Sequence, residues 1–290
     1  MNNRIGIYYA YWEQNWSADF VPYVSRAKGL GFDTLAVHAG ALHEASSSER
    51  SRLREEAERH DVRLTLLIGL TADRDPASPD ADARERGIRF LQEAAAITSE
   101  LGTDELAGIL HGSWPAKLPV GESKEKYFER SVNSMREAAK AAVDHGVVFN
   151  VEVVNRFEQF MLNTAAEAID YVKRVDSPNV KILLDTFHLN IEEDSIGDAI
   201  RESGDLLGHF HIGENNRRPP GHGHIPWDEV FQALSDIGYA GDIVMEPFLL
   251  PGGEVGRDIA VYRDLLGDGD LDELARDAVR FTREKMKRFG

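Results

Sequence analysis

The feature that most constrains this chain is a repeated alternation of short apolar runs with amphipathic segments from one end to the other. Strands read at Arg4–Tyr9, Thr34–His38, Arg63–Leu70, Leu106–His111, Val147–Val154, Val180–Asp185, Leu207–His211 and Asp242–Glu246. Several are near-continuous runs of Val, Ile and Leu, the pattern of parallel strands covered on both faces. Between them, helical periodicity reads at Ser17–Leu30, Ser48–His60, Asp80–Leu101, Ser123–His145, Thr164–Val175, Ser195–Ser203 and Pro226–Ile237. Ser17-Ala-Asp and Thr164 supply N-terminal caps, with Glu167 placed for a capping box. Gly31, Gly102, Gly146 and Gly238 stand just past helix ends, where a left-handed residue stops a helix. Eight strand–helix units of roughly 30 residues make an α/β chain of the (β/α)8, or TIM-barrel, class. We read residues 1–290 as a single barrel domain, with Pro251–Asp270 a loop that accommodates one helix and Leu271–Phe289 a closing helix. An open doubly wound sheet is the alternative, but no Gly-x-Gly-x-x-Gly follows the first strand.

Four strands end in residues that do not belong in an apolar run. Glu152 lies inside Val147–Val154, where an unpaired carboxylate costs several kcal/mol, roughly, unless something neutralises it. Asp185, His211 and Glu246 end the next three strands in turn. In barrels of this class chemistry gathers at the C-terminal strand ends, so these residues are expected to converge. Three carboxylates meeting without a cation would repel one another and raise some of their pKa values. A divalent metal resolves the conflict, and oxygen-rich ligation with one imidazole suits Mn²⁺, with Co²⁺ or Mg²⁺ as alternatives and Zn²⁺ a poorer match. For Glu152 alone, the competing reading is an ordinary salt bridge to a neighbouring strand.

Lys and Arg total 33 against 50 Asp and Glu, a net charge of −17. That balance disfavours nucleic acid and anionic membranes as partners. There is no cysteine, which excludes disulfides and thiolate chemistry. No apolar run approaches the roughly 20 residues of a membrane span, and Met1-Asn-Asn-Arg4 leads straight into a strand. A soluble, cytoplasmic protein is expected.

At Gly6-Ile-Tyr-Tyr-Ala-Tyr-Trp-Glu13, Val151-Glu-Val-Val-Asn-Arg-Phe-Glu158, Leu184–Asp194, Gly208–Arg218 and Val244-Met-Glu-Pro-Phe248 the chain resembles the ketose 3-epimerases, the D-tagatose and D-allulose (D-psicose) 3-epimerase group. The resemblance runs over nearly the whole length. It implies that Glu152, Asp185, His211 and Glu246 bind the metal, and that Glu158, His188 and Arg217 hold oxygens around C1 to C3 of a ketose. It also implies metal-dependent epimerisation at C3 through a cis-enediolate, with Glu152 and Glu246 exchanging protons on opposite faces of the sugar, and a homo-oligomer, dimer or tetramer. Tyr8, Trp114 and Phe248, at strand and loop ends beside the metal, are expected to wall the sugar. Ile109, the Leu67 and Leu70 that flank Gly69, and His38-Ala-Gly40 differ from what is common in the group, which bears on the choice of ketose. His209 shares a strand face with His211 and reads as a hydrogen-bonded core histidine.

Other readings keep much of this site. They are an aldose–ketose isomerase, a related epimerase such as an L-ribulose 3-epimerase, and a non-catalytic sugar-binding barrel. A phosphodiesterase of the endonuclease type that shares this barrel needs more histidine ligands and a DNA-binding surface, and the charge argues against it.

Overall fold

The computed structural model describes residues 1–290. Eight parallel strands close into one barrel, each bonded to its neighbour in chain order and the last to the first. They are β1 Ile5–Tyr8, β2 Thr34–His38, β3 Arg63–Leu70, β4 Glu105–Ser113, β5 Val148–Glu152, β6 Val180–Asp185, β7 Leu207–Ile212 and β8 Ile243–Met245. The helices are α1 Val21–Leu30, α2 Ala39–Glu44, α3 Ser47–His60, α4 Ala81–Glu100, α5 Lys124–His145, α6 Ala165–Val175, α7 Thr186–Glu192, α8 Ile196–Ser203, α9 Trp227–Asp236, α10 Gly253–Asp258 and α11 Leu271–Phe289. The closed barrel follows the sequence reading. No helix is long and apolar enough to cross a membrane.

Helix ends largely follow the expected chemistry. Thr164 and Glu167 form the capping box of α6, and Ser46 with Glu49 forms another on α3. Gly31 and Gly146 end α1 and α5 in the left-handed conformation. One boundary differs: α1 begins at Val21 rather than Ser17, because Pro22 suits the first helical turn and Asp19 caps the N–H of Val21 from outside. Two short helices, α2 and α7, follow β2 and β6, outside the helical segments read from the sequence. Each is capped by the last residue of its strand, His38 and Asp185 respectively.

The inward face of the barrel is polar along part of its depth. One layer below Glu152 and His211, strand alternation places Asn150 and His209. His209 Nδ1 lies 3.1 Å from Glu105, as a core histidine should. Lower still, Asp242 is 2.9 Å from Arg4, 3.3 Å from Arg63 and accepts from Thr34 at 2.7 Å. These pairs close the end of the barrel opposite the candidate site. The register slips between Gly69 and Leu70, so that Leu70 pairs with Ser113. Gly108, opposite Ile68 just before the slip, has φ 113°, and a Cβ there would lie 2.2 Å from the carbonyl oxygen of Ile68. Only glycine fits.

Candidate active site

Each of the four odd strand-end residues reaches the same point. One ligand atom from each of Glu152, Asp185, His211 and Glu246 lies within 4.8 Å of all the others. Asp185 and His211 are direct register partners on β6 and β7. Glu152 ends β5, and Glu246 follows β8 with its backbone N–H still bonded to Ile212 at 3.0 Å. His211 Nδ1 is 3.7 Å from both Glu152 and Glu246. Asp185 divides its oxygens: Oδ1 caps α7 through Phe187 N–H at 2.7 Å, and Oδ2 faces the cluster.

The electrostatics of this cluster suit a cation. Burial, then the Glu246 and Asp185 charges, push Glu152 well above the ordinary carboxylate range. Burial and Asp185 push Glu246 up to about 8. Burial holds His211 neutral, with its pKa well below the ordinary value. Both ring nitrogens of His211 and Oδ2 of Asp185 are buried without a hydrogen-bond partner, which a structure does not leave unsatisfied cheaply. Three carboxylates, a neutral imidazole and orphaned acceptor atoms fit a divalent cation.

Around the cluster opens a cavity of about 470 Å³. Tyr8, Trp114, Glu158, His188, Arg217 and Phe248 all line it, so the structure brings every candidate site residue to this cluster or its cavity. Glu158 is the hub of the polar wall. It accepts from the Trp114 indole at 3.0 Å, Asn155 at 2.9 Å and Arg217 at 3.3 Å. Burial opposes its ionisation, but His188, Arg217 and these hydrogen bonds outweigh burial and hold it below the usual range. The N–H of Asn155 donates to His188 Nδ1 at 3.2 Å, which leaves the ring proton on Nε2, 3.9 Å from Glu152. Arg217 bridges the two groups. Its Nη1 is 3.8 Å from both Asp185 and Glu246, and its guanidinium stacks 3.7 Å over Phe187. It is buried.

The apolar wall is larger than the sequence analysis implies. Tyr8 meets Phe248 edge-on at 6.3 Å, while Trp16 lies 6.2 Å from Trp114 and stacks on His38 at 5.8 Å. Trp16, His38, Gly40, Leu67, Gly69, Leu70 and Ile109 also line the cavity. Trp16 is held by Asp258 at 2.9 Å and Glu254 at 3.3 Å, both from α10. Trp12 instead packs outside, stacked on Tyr23 and under Arg26. Asn155, which orients both Glu158 and His188, is not singled out by sequence reasoning. Its place three residues before Glu158 is the available signal.

Residues 24–285 match the family described as the xylose isomerase-like TIM barrel. The D-psicose 3-epimerase of Agrobacterium fabrum is 45% identical over 281 residues, covering 96% of this chain and 97% of that protein. That of Ruminiclostridium cellulolyticum is 46% identical and covers 96% of each. The chain belongs to the D-psicose 3-epimerase family. Among solved structures, D-psicose 3-epimerase with D-tagatose from Clostridium cellulolyticum H10 superposes with a TM-score of 0.95 at 45% identity, covering 98% of this chain and 99% of that one. Membership in this family makes the protein an enzyme of the isomerase class.

Proposed function

We propose that the protein interconverts free ketoses epimeric at C3, the D-psicose/D-fructose and D-tagatose/D-sorbose type, at the cavity above the barrel. The observation that carries this reading is the pair Glu152 and Glu246. They rise from strands separated by two others and both line one cavity beside a guanidinium and an imidazole. Inversion at C3 removes a C–H proton next to the C2 carbonyl and returns one to the opposite face, so it needs a proton-transfer group on each side. In our reading one glutamate accepts the proton from C3. The other, as carboxylic acid, delivers a proton to the far face, and the roles exchange in reverse. Arg217 and the Nε2–H of His188 donate to the oxygens on which charge develops as the enediolate forms. Glu158 fixes a hydroxyl, and Tyr8, Trp114 and Phe248 exclude water from the sugar's apolar edges.

Glu152, Asp185, His211 and Glu246 would hold the metal, with Mn²⁺ the best match to the donor set and Co²⁺ or Mg²⁺ next. When bound, it supplies Lewis-acid polarisation of the ketose carbonyl. We further infer a homo-oligomer acting on a small-molecule ketose, without nucleic acid or membrane as partner. The test is incubation with Mn²⁺ and D-fructose, with products separated by chromatography. D-psicose is expected. An aldose would mean an aldose–ketose isomerase, and no product would overturn the catalytic reading.

A further inference from the structure

The loop that carries Arg217 leaves the barrel after β7 and returns at α9, without regular secondary structure between. Its shape is set from inside by Glu214, whose side chain is fully buried. The Glu214 carboxylate accepts from Gly221 N–H at 2.7 Å, Ile225 N–H at 3.2 Å and the Trp227 indole N–H at 2.7 Å. These partners are neutral N–H groups from the loop and from the first residue of α9, so the carboxylate gathers both ends of the excursion. The Glu214 backbone closes the turn as well. Its N–H donates to Arg218 at 3.0 Å and its carbonyl accepts from Arg217 at 2.9 Å. The chain is wound so closely about this group that a Cβ on Gly223 would lie 2.3 Å from Oε2.

Arg217 itself stands at φ 62°, a left-handed conformation that residues with side chains rarely adopt. Such a conformation persists only where its surroundings over-determine it. From there the guanidinium enters the active cavity, which Glu214 does not line. The only other fastener of the Arg217 backbone toward the barrel is its carbonyl, which accepts from Phe248 N–H at 2.9 Å.

We infer that Glu214 is a positioning residue for Arg217. Its buried carboxylate, by collecting the N–H groups of Gly221, Ile225 and Trp227, holds the β7–α9 loop in the one shape that presents the guanidinium to Glu158, Asp185 and Glu246. This rests on the reading of Arg217 as a donor to substrate oxygens. A carboxylate is required because both oxygens accept. Glutamine would turn an NH₂ group toward an N–H of the loop, leaving one donor unsatisfied.

The test is a double-mutant cycle. Glu214→Ala and the nearly isosteric Glu214→Gln are made in the natural chain and in Arg217→Ala, and ketose epimerisation is measured well below the melting transition. In the natural chain Glu214→Ala is expected to lower kcat/KM on the order of 10- to 100-fold, the scale of a misplaced group. The loss should fall on the same parameter, kcat or KM, that Arg217→Ala affects, with Glu214→Gln lowering it less. In the Arg217→Ala background the further loss should stay within about twofold. An equal loss in both backgrounds, or no loss in the natural one, overturns the inference, since a merely structural residue would not couple to Arg217.

A second readout does not depend on activity. Arg217 and Arg218 are the only basic residues of the loop that trypsin recognises, and Pro219 protects the bond after Arg218. Cleavage at Arg217–Arg218 should be on the order of tenfold faster, or more, in Glu214→Ala as local opening becomes easier. Unchanged cleavage overturns the anchoring role. Full activity of Arg217→Ala alone would instead refute the role assigned to Arg217, and any action of Glu214 through it. In a protein without epimerase activity, trypsin alone decides whether Glu214 holds the loop.

Discussion

Glu152 and Glu246 are each pushed toward the protonated form, first by burial and then by neighbouring acids. Such glutamates suit proton transfer, and their separate roles are open to test. Glu152→Gln and Glu246→Gln keep an oxygen at each position but remove the transferable proton. Each should lower turnover by roughly 10²–10⁴-fold or more. The face still served by the intact carboxylate should go on exchanging hydrogen at C3, with one epimer for Glu152→Gln and the other for Glu246→Gln. Isotope exchange with each ketose, read alongside metal content, checks this. If both variants retain metal and exchange the same epimer, one base serves both faces. The acids were legible in the sequence because a carboxylate in an apolar strand has few harmless explanations. Asn155 and Trp16 were not. A loop asparagine has many solvated alternatives, and the partners that hold Trp16 lie in α10, far along the chain.

Among elements, the strands were the most legible, since β-branched runs bounded by turn residues admit few readings. The helices α2 and α7 escaped because 6 and 7 residues are too few to show a helical period. The slip in register between β3 and β4, where β4 skips Leu110, His111 and Gly112, is not readable from the hydrophobic pattern, which reports burial and not pairing. Just before the slip stands Gly108, opposite Ile68, and it yields a stability prediction. Gly108→Ala would set a Cβ against the Ile68 carbonyl, a backbone atom that cannot swing aside, at a φ that disfavours any side chain. We expect a loss of roughly 2–4 kcal/mol, in the range of strain at special backbone positions. The midpoint of urea denaturation measures it, and a change within experimental error would show that β3 moves freely. Gly69 is different in kind. A Cβ there would meet the Trp114 ring at 3.1 Å. Gly69→Ala should therefore displace the indole that donates to Glu158 and raise KM more than it lowers stability. Steady-state kinetics set beside a thermal melt would show the reverse balance if the indole is not a substrate wall.

For the molecule as a whole, the net charge of −17 carries two consequences. Copies of the chain repel one another at long range, so association should strengthen as salt screens them. Light scattering at micromolar protein should give a multiple of 32.4 kDa, with the larger species favoured at high salt. A mass of one chain throughout would refute the oligomer. The second consequence concerns where negative charge is concentrated. In the unfolded chain Glu152 and Glu246 ionise in the ordinary carboxylate range, while in the metal-free fold burial and mutual repulsion keep Glu246 protonated to about pH 8 and raise Glu152 likewise. Between those limits the folded state binds more protons than the unfolded one, so these groups lower stability progressively as pH rises from about 5 to 8. A divalent cation favours the ionised form of the same carboxylates, so it competes with the protons they hold. Its affinity, and the stability it adds by mass action, must therefore grow over that interval. Titrations elsewhere in the chain are common to both forms and largely cancel in the difference. The melting temperature with saturating Mn²⁺, less that of the stripped protein, should widen from pH 5.5 to pH 8 and narrow again in Glu246→Gln. A difference that stays level or shrinks with pH would mean that the cation binds elsewhere, because a cation at these carboxylates competes with the protons that burial makes them hold.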